Sequence, residues 1–157
     1  MYFDDLRSYI SYRSGNPDLA DDVVQQTFIR LWEKQITLLP GKEKALLYKI
    51  AGDEFIDQVR KRKASVEFSD DLFLVAGDVQ PDERLEYEDS SRKLRKALRK
   101  MNESQRVVFL MSRRDGLRQL EIAERLNISV KAVEKRMNIA LGILRATFNS
   151  DEQRNRK

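Results

Sequence analysis

Two runs of apolar residues separated by a polar turn, between Gly116 and Leu144, constrain the fold of this chain more than any other stretch. In both runs the apolar residues recur at spacings of three and four, which is the period of an amphipathic α-helix. Asn127 to Ser129 interrupt the pattern, and the Ser129 hydroxyl can accept from the first amides of the second helix. The apolar positions are Ile122, Ala123 and Leu126, followed by Val130, Val133, Met137, Ala140 and Leu144. The sequence therefore predicts two helices joined by a tight turn.

The outward face of the second predicted helix is polar. It carries the long side chains of Lys131, Glu134, Lys135 and Arg136. Reading the DNA major groove requires such side chains on the exposed face of the second helix of a pair. An ordinary helical hairpin with a solvated charged face has the same spacing. Spacing alone does not separate the two interpretations.

Composition excludes several classes of function. The chain has no cysteine and no histidine, so structural disulfides, thiolate zinc sites and a histidine general base are ruled out. The sequence contains neither a nucleophile–base constellation nor a phosphate-binding glycine loop, and an enzyme is the least favoured class. We expect no metal and no other cofactor. The formal net charge of +4 gives a mild bias toward polyanionic partners.

The sequence predicts a soluble, cytoplasmic protein. Its first ten residues, MYFDDLRSYI, carry acidic groups early and lack an apolar run of signal length. No stretch approaches the roughly 20 apolar residues needed to cross a bilayer. We therefore expect no direct insertion into a membrane.

Apolar periodicity predicts three helices in the first 63 residues. The first runs from Met1 to about Arg13, and the second, capped by Asp18, ends at about Lys34. The third spans roughly residues 42–62. The second helix is expected to direct Val24, Phe28, Leu31 and Trp32 toward the core.

Two features of the third helix bear on function. Gly52 lies in its middle at a cost of about 1 kcal/mol relative to alanine, which close packing or a nearby ligand would explain. The helix ends in four adjacent cations, Arg60 to Lys63. These cations fit contact with a phosphate backbone, and they also fit a solvated helix end favoured by the helix dipole.

The predicted fold is all-α, with two small helical domains. Residues 64–80 break the helical pattern, turn acidic and are interpreted as a flexible linker after the first domain, residues 1–63. Pro81 opens a helix to about Lys100, and Asn102 caps the next helix with Gln105 in a capping box. The second domain spans residues 81–149. Periodicity is lost after Leu144, and residues 150–157 are expected to fray.

Three segments carry a resemblance to one family. Residues 20–32 read ADDVVQQTFIRLW, residues 46–63 read LLYKIAGDEFIDQVRKRK, and residues 94–145 contain the helix pair described above. In this order they resemble regions 2 and 4 of the extracytoplasmic-function, or group 4, sigma factors of bacterial RNA polymerase. A helix-turn-helix alone is weakly specific, whereas two modules at this spacing are strongly specific. The short loops and the SVKAVEKR stretch resemble the iron-uptake branch.

The resemblance implies that the first domain binds core RNA polymerase and the −10 promoter element. The implied polymerase-binding residues are Asp21, Asp22, Gln25, Gln26, Phe28 and Arg30. The loop at residues 35–42 and the helix after it would open and read the −10 element. The implied −10 residues are Lys49, Asp53, Asp57, Arg60, Lys61, Arg62 and Lys63.

The second domain would read the −35 element in the major groove. Lysine or arginine pairs naturally with guanine, and glutamate with the cytosine amino group. Arg118 and Gln119 would fix phosphates and hence register. The implied −35 residues are Arg118, Gln119, Ser129, Lys131, Glu134, Lys135 and Arg136. The implied partners are core RNA polymerase, promoter DNA and an anti-sigma factor that clamps between the domains.

Two departures from the family pattern affect the −10 half. Leu46 stands where the family prefers tryptophan, and Asp53 stands where it prefers asparagine. Asparagine can donate and accept hydrogen bonds, whereas ionised aspartate only accepts them. The preferred base therefore changes or −10 reading is lost. One alternative is therefore a sigma-like mimic that sequesters an anti-sigma factor without initiating transcription. A stand-alone helix-turn-helix repressor is a third interpretation, against which the helix at residues 20–32 counts.

Overall fold

Every regular element in the described part of the chain is an α-helix, as predicted. The computed structural model describes residues 2–62 and 81–156, without the side chains of residues 81–87 and 155. The predicted linker at residues 64–80 and Lys63 lie outside the described residues. The helices are α1 (Tyr2–Ser14), α2 (Pro17–Glu33), α3 (Glu43–Arg62), α4 (Pro81–Lys100), α5 (Glu103–Arg113), α6 (Gln119–Leu126) and α7 (Val130–Asn155).

The first module is the bundle formed by α1, α2 and α3. Each helix buries one apolar stripe against the other two, because its apolar residues recur with the helical period. Burying such side chains supplies roughly 1.5–3 kcal/mol each, before conformational entropy is counted. The innermost side chains are Leu6, Ile10, Leu19, Val23, Val24 and Leu47.

The start and the end of α2 differ from the sequence predictions. Asn16 caps the helix, since its Oδ1 accepts from the Leu19 amide at 3.1 Å, and the predicted Asp18 cap is wrong. Pro17 explains the difference, because its fixed φ and missing N–H suit the first helical position and place the cap one residue earlier. The expectation that Trp32 faces the core is also wrong, as this residue is 86% exposed. Trp32 lies about 140° around the helix from the buried Thr27.

The second module comprises α4 to α7, and local capping sets two of its helix starts. The predicted capping box at α5 is confirmed, with Asn102 Oδ1 accepting from the Gln105 amide at 2.9 Å. Ser129 Oγ accepts from the Ala132 amide at 3.1 Å and caps α7, also as predicted. Asn127 ends α6 in the left-handed conformation, with φ at 52°. That conformation produces the tight turn between α6 and α7.

Helix α7 is much longer than the sequence pattern predicted. Instead of ending near Leu144, with residues 150–157 frayed, it continues to Asn155. Its last turns pack on α4, where Thr147 is fully buried and Lys96 Nζ lies 3.0 Å from Asp151 Oδ1. The extension therefore depends on a neighbouring helix, and the apolar period within residues 145–155 could not reveal it.

The two modules pack directly against each other. Helix α1 contacts α5, and α3 contacts α6, so the buried apolar residues of both modules form one continuous cluster. Gly52 of α3 lies in this region, where a Cβ atom would come within 3.0 Å of Arg13 Nη1. Of the two explanations predicted for Gly52, close packing is therefore present.

Candidate nucleic-acid interface

The second helix of the predicted pair presents one exposed polar face. Lys131, Glu134 and Lys135 lie together on this face, because positions three and four apart share one side of a helix. Ser129, at the start of α7, is exposed beside them. Asn138 lies on the same face and was missed in the sequence analysis, although its spacings from Glu134 and Lys135 could have revealed it.

Arg136 is set apart from that face. It is half-buried and lines a cavity of about 280 Å³ together with Tyr9 and Arg13 of α1 and Glu103 of α5. Arg136 immediately follows Lys135, so it is rotated by about 100° around the helix axis. The structure therefore groups three of the four predicted base-contacting residues and places the fourth beside the other module.

The start of α6 presents the predicted phosphate-contacting residues. Arg118 and Gln119 are both exposed. The Arg118 amide donates to Glu121 Oε2 at 2.8 Å, and this hydrogen bond lowers the pKa of Glu121. The Arg118 guanidinium Nε lies 3.6 Å from the same oxygen, which partly balances its charge. Glu121 is thus a neighbour of the predicted contact that the sequence analysis did not include.

A cleft of about 740 Å³ separates α3 from the end of α6, and we call it the α3 cleft. Lys49 and Asp53, one helical turn apart on α3, are exposed and line it. Apolar side chains complete the α3 wall and the neighbouring loop wall, and these are Leu39, Ala45, Leu46 and Ile56. An apolar wall beside a few polar groups suits an unstacked base.

Asp57 and Arg30 were predicted to bind different partners, yet the structure brings them together. Arg30 Nη2 lies 3.5 Å from Asp57 Oδ2 and 2.9 Å from Oε2 of Glu54, a residue that is only 3% exposed. The shorter contact is an ion pair whose N–H direction is not aligned for a hydrogen bond. Arg30 thereby joins α2 to α3 and balances a buried carboxylate.

The end of α3 is basic and exposed. Arg60, Lys61 and Arg62 all lie at the surface of its last turn. Arg62 Nη2 contacts Asp22 Oδ2 of α2 at 2.7 Å, so one predicted DNA contact pairs with one predicted polymerase contact. Exposed pairs of this kind contribute little to stability and exchange readily for other partners.

The predicted polymerase-binding residues lie along α2. Asp22 and Gln25 are exposed, Gln26 is half-exposed, and Asp21 pairs with Arg7 of α1. Phe28 is half-buried and stacks on Phe3 of α1 with ring centroids 6.1 Å apart.

An apolar patch beside these polar groups was missed in the sequence analysis. Ile29 is 46% exposed, and it accompanies Phe3 and the highly exposed Trp32. Ile29 and Trp32 are three residues apart and away from the buried stripe, a spacing that could have revealed the patch. Exposed apolar side chains rimmed by polar groups are typical of protein–protein contacts.

The described residues contain no cluster of acidic side chains that could hold a metal ion. None of the helices in residues 2–62 and 81–156 combines the length and apolar character needed to cross a bilayer.

The fold and its two exposed faces define a helical protein with a helix-turn-helix in its second module. Residues 1–65 match the family Sigma-70 region 2, and residues 91–142 match Sigma-70, region 4. The chain is 30% identical over 149 residues to the ECF RNA polymerase sigma factor EcfG of Rhodopseudomonas palustris strain TIE-1, covering 93% of this chain and 80% of EcfG. The chain belongs to the extracytoplasmic-function sigma factors of the sigma-70 family.

Two further relatives have similar coverage. The ferric citrate uptake sigma factor FecI of Escherichia coli K12 is 28% identical over 132 residues, covering 83% of this chain and 76% of FecI. The fold is similar to that of the sigma factor RpoE from Bartonella quintana, solved in complex with the anti-sigma factor NepR. That match has a TM-score of 0.57 and 24% identity, and it covers 96% of this chain and 93% of the other.

Membership of the family establishes the general activity. The protein directs transcription initiation through regions 2 and 4, and it is not an enzyme. It acts by binding RNA polymerase and DNA.

Proposed function

We propose that the exposed face of α7 reads the −35 element. The observation that supports this most directly is the grouping of Lys131, Glu134 and Lys135 on one exposed face behind a capped helix start. Lysine suits guanine O6 and N7, and glutamate suits the cytosine amino group. Asn138 adds an amide that can bind adenine through N6 and N7. Arg136 contributes on the flank of this face, while Arg118 and Gln119 hold the backbone.

The α3 cleft is our proposed site for the −10 element. Arg60 and Lys61 would hold phosphates of the opened strand while an unstacked base enters between Lys49 and Asp53. Because an ionised aspartate only accepts hydrogen bonds, Asp53 favours a base with an amino group over thymine. This chain would therefore still read the −10 element, but with a base preference different from that of a chain with asparagine at position 53.

We further propose that α2 contacts the clamp helices of the largest polymerase subunit. The polar part of this surface is Asp22, Gln25 and Gln26, and the apolar part is Ile29 and Trp32. Because core polymerase and promoter DNA are in the cytoplasm, the protein would act there. The similarity to RpoE, solved with NepR, supports an anti-sigma factor as a further partner, and the similarity to FecI supports an iron-uptake regulon.

Transcription with purified core polymerase tests the −35 assignment. Promoters are first identified by mapping transcript starts after overexpression, with and without iron limitation. Lys135→Ala should weaken use of the cognate promoter by roughly 5- to 150-fold, equivalent to one base contact of about 1–3 kcal/mol. The matched control is Arg154→Ala, which removes an exposed cation from the far end of the same helix. Equal losses in the two variants would refute base reading by this face.

Asp53→Asn tests the −10 assignment separately. On promoters that carry each base in turn at every −10 position, this variant should gain activity on thymine at one position. Unchanged preference at every position would show that Asp53 does not contact a base.

A further inference from the structure

We propose that Ile139 and Gly142 extend the −35 reading surface along α7, where Ile139 packs on a thymine methyl group and Gly142 lets a DNA strand approach the helix. The proposal deepens the function assigned above to α7 and rests on it. Two observations carry it. One is an exposed isoleucine on a polar face, and the other is a glycine inside the helix that no contact in the described part of the chain explains.

Ile139 lies near the centre of the exposed face of α7. Lys135 marks that centre, because it lies opposite the buried Val133 and Met137. Ile139 follows Lys135 by four residues, so it is rotated from it by only about 40° and lies about 6 Å further along the axis. Its side chain is 41% exposed. An apolar side chain therefore stands among the polar groups that we assign to the bases.

The environment of Ile139 differs from that of the apolar residues that follow it. Leu141, Ile143 and Leu144 are partly buried and pack against the hydrophobic core. A single exposed isoleucine is common on protein surfaces and by itself indicates nothing. On a face that enters a groove, however, the side chain loses its contact with water, and an apolar group on the DNA then makes this position favourable.

The thymine methyl group is the apolar feature that the major groove offers. Most of the other groups by which the groove distinguishes base pairs are hydrogen-bond donors and acceptors. Asn138, the neighbour of Ile139, suits adenine N6 and N7. The two side chains together therefore favour an A·T-containing segment of the −35 element, with adenine beside Asn138 and a thymine methyl group beside Ile139.

Gly142 lies on the same face as Lys135 and Ile139. It is exposed, and it is rotated by only about 20° from Lys135. A Cβ atom at this position would meet no atom within 4 Å in the described part of the chain, apart from its own stretch of helix. Glycine inside a helix is less stable than alanine. Close packing explains Gly52, whereas it does not explain Gly142.

Close approach of a ligand to the backbone is another reason for a glycine within a helix. From Lys131 to Ile139 the reading face is about 12 Å long, similar to the width of the major groove. Gly142 follows about 4.5 Å further along, where a strand of the duplex borders the groove. Without a Cβ atom, the backbone of α7 can lie close to the sugars and phosphates of that strand.

Deoxyuridine tests the isoleucine contact, because it pairs like thymine and lacks only the 5-methyl group. The assay measures the affinity of holoenzyme, assembled from core polymerase and the full chain, for promoter duplexes in which each thymine near −35 is replaced in turn. One replacement should weaken binding to the native holoenzyme about 4-fold, the value expected for one methyl group removed from water. The same replacement should have no effect on the Ile139→Ala holoenzyme, whose affinity is already lower. Thermal melting confirms that the variant is folded.

Gly142→Ala separates a DNA contact from a structural role, because the two expected effects have opposite signs. In the free chain, alanine should raise the melting midpoint by about 2–4 °C through its higher helix propensity. In the holoenzyme, the added methyl group should weaken promoter binding by about 5-fold or more. The matched control is Asn149→Ala, an exposed position about 10 Å further along α7, where alanine also raises helix propensity. This control should raise the midpoint and leave the affinity unchanged.

Each residue has its own refuting result. Equal sensitivity to deoxyuridine in the native and Ile139→Ala holoenzymes, or no sensitivity at any thymine, would overturn the methyl contact. Unchanged affinity of the Gly142→Ala holoenzyme would overturn the close approach. If Lys135→Ala also left promoter binding unchanged, the assignment of α7 to the −35 element would itself fail. If Lys135→Ala weakened binding while Ile139→Ala and Gly142→Ala did not, only the extension of the reading surface would fail.

Discussion

Arg30 offers a quantitative test of the first module, because its contacts are with carboxylates inside the protein. Replacing it by methionine would leave Glu54, 3% exposed, without its cation. Removing one partner of a fully buried ion pair costs about 3–5 kcal/mol. The Arg30 side chain is 29% exposed, so water would reach the site, and we expect a loss near the lower end, about 3 kcal/mol.

Differential scanning fluorimetry measures this effect as a shift in the melting midpoint. For a chain of this size, a loss of about 3 kcal/mol lowers the midpoint by roughly 6–12 °C. The matched control is Arg7→Met, whose pair with Asp21 is exposed on both sides. That pair should contribute about 0–1 kcal/mol, so the midpoint should hardly change.

A second substitution identifies the cause of the loss. Glu54→Gln in the Arg30→Met background removes the unbalanced charge, and the double variant should regain most of the lost stability. If Arg30→Met melts like the native chain and only its affinity for polymerase falls, the ion pair is not stabilising. Arg30 would then act as a polymerase contact.

Three further changes test the module boundary and the helix pair. Burial raises the pKa of Tyr48 to about 12, so the stability that this neutral phenol contributes is complete below pH 10 and is lost as pH rises toward 12. Ultraviolet absorbance should show tyrosine ionisation well above pH 10 together with a falling melting midpoint, and ionisation near pH 10 with an unchanged midpoint would contradict this. Ser129→Asp should keep the cap of α7 and the melting midpoint, while weakening −35 binding through repulsion from phosphate. Ser129→Ala should lower the free energy of unfolding by about 1 kcal/mol, because it removes the cap. An alanine variant more stable than the aspartate variant would contradict the role of Ser129 as a cap. Asn127→Ala should lower the free energy of unfolding in urea by about 1–2 kcal/mol, because alanine lacks the short polar side chain that allows asparagine to adopt the left-handed conformation, whereas Asn127→Gly should not, because glycine has no Cβ to clash there.

Local chemistry explains what could be predicted from the sequence. The caps at Asn102 and Ser129 join a side chain to an amide three residues away, so a short stretch of sequence contains both partners. Likewise, Lys131, Glu134 and Lys135 share a face through helical spacing alone. The existence of the seven helices in residues 2–62 and 81–156 followed from the same period.

Contacts between distant residues could not be predicted in this way. Tyr12 is buried because α5 lies against it, and its partner Asp115 is 103 positions away. Arg30 and Asp57 carry charges that fit several partners, and only the packing of α2 on α3 brings them together. Val130 belongs to the apolar series yet is 36% exposed, since it stands at the first position of α7, beyond the edge of the core.

The length of α7 has a mechanical consequence for promoter spacing. Its 26 residues form a rod of about 39 Å, with Lys131 near one end and Asp151, bound to α4, near the other. About 30 Å separates these two positions along the axis, so a rotation of roughly 10° about Asp151 would move Lys131 by about 5 Å. That displacement exceeds the 3.4 Å rise of one base pair. The packing of α4 against the C-terminal end of α7 therefore determines how precisely the −35 contacts are aligned with the DNA.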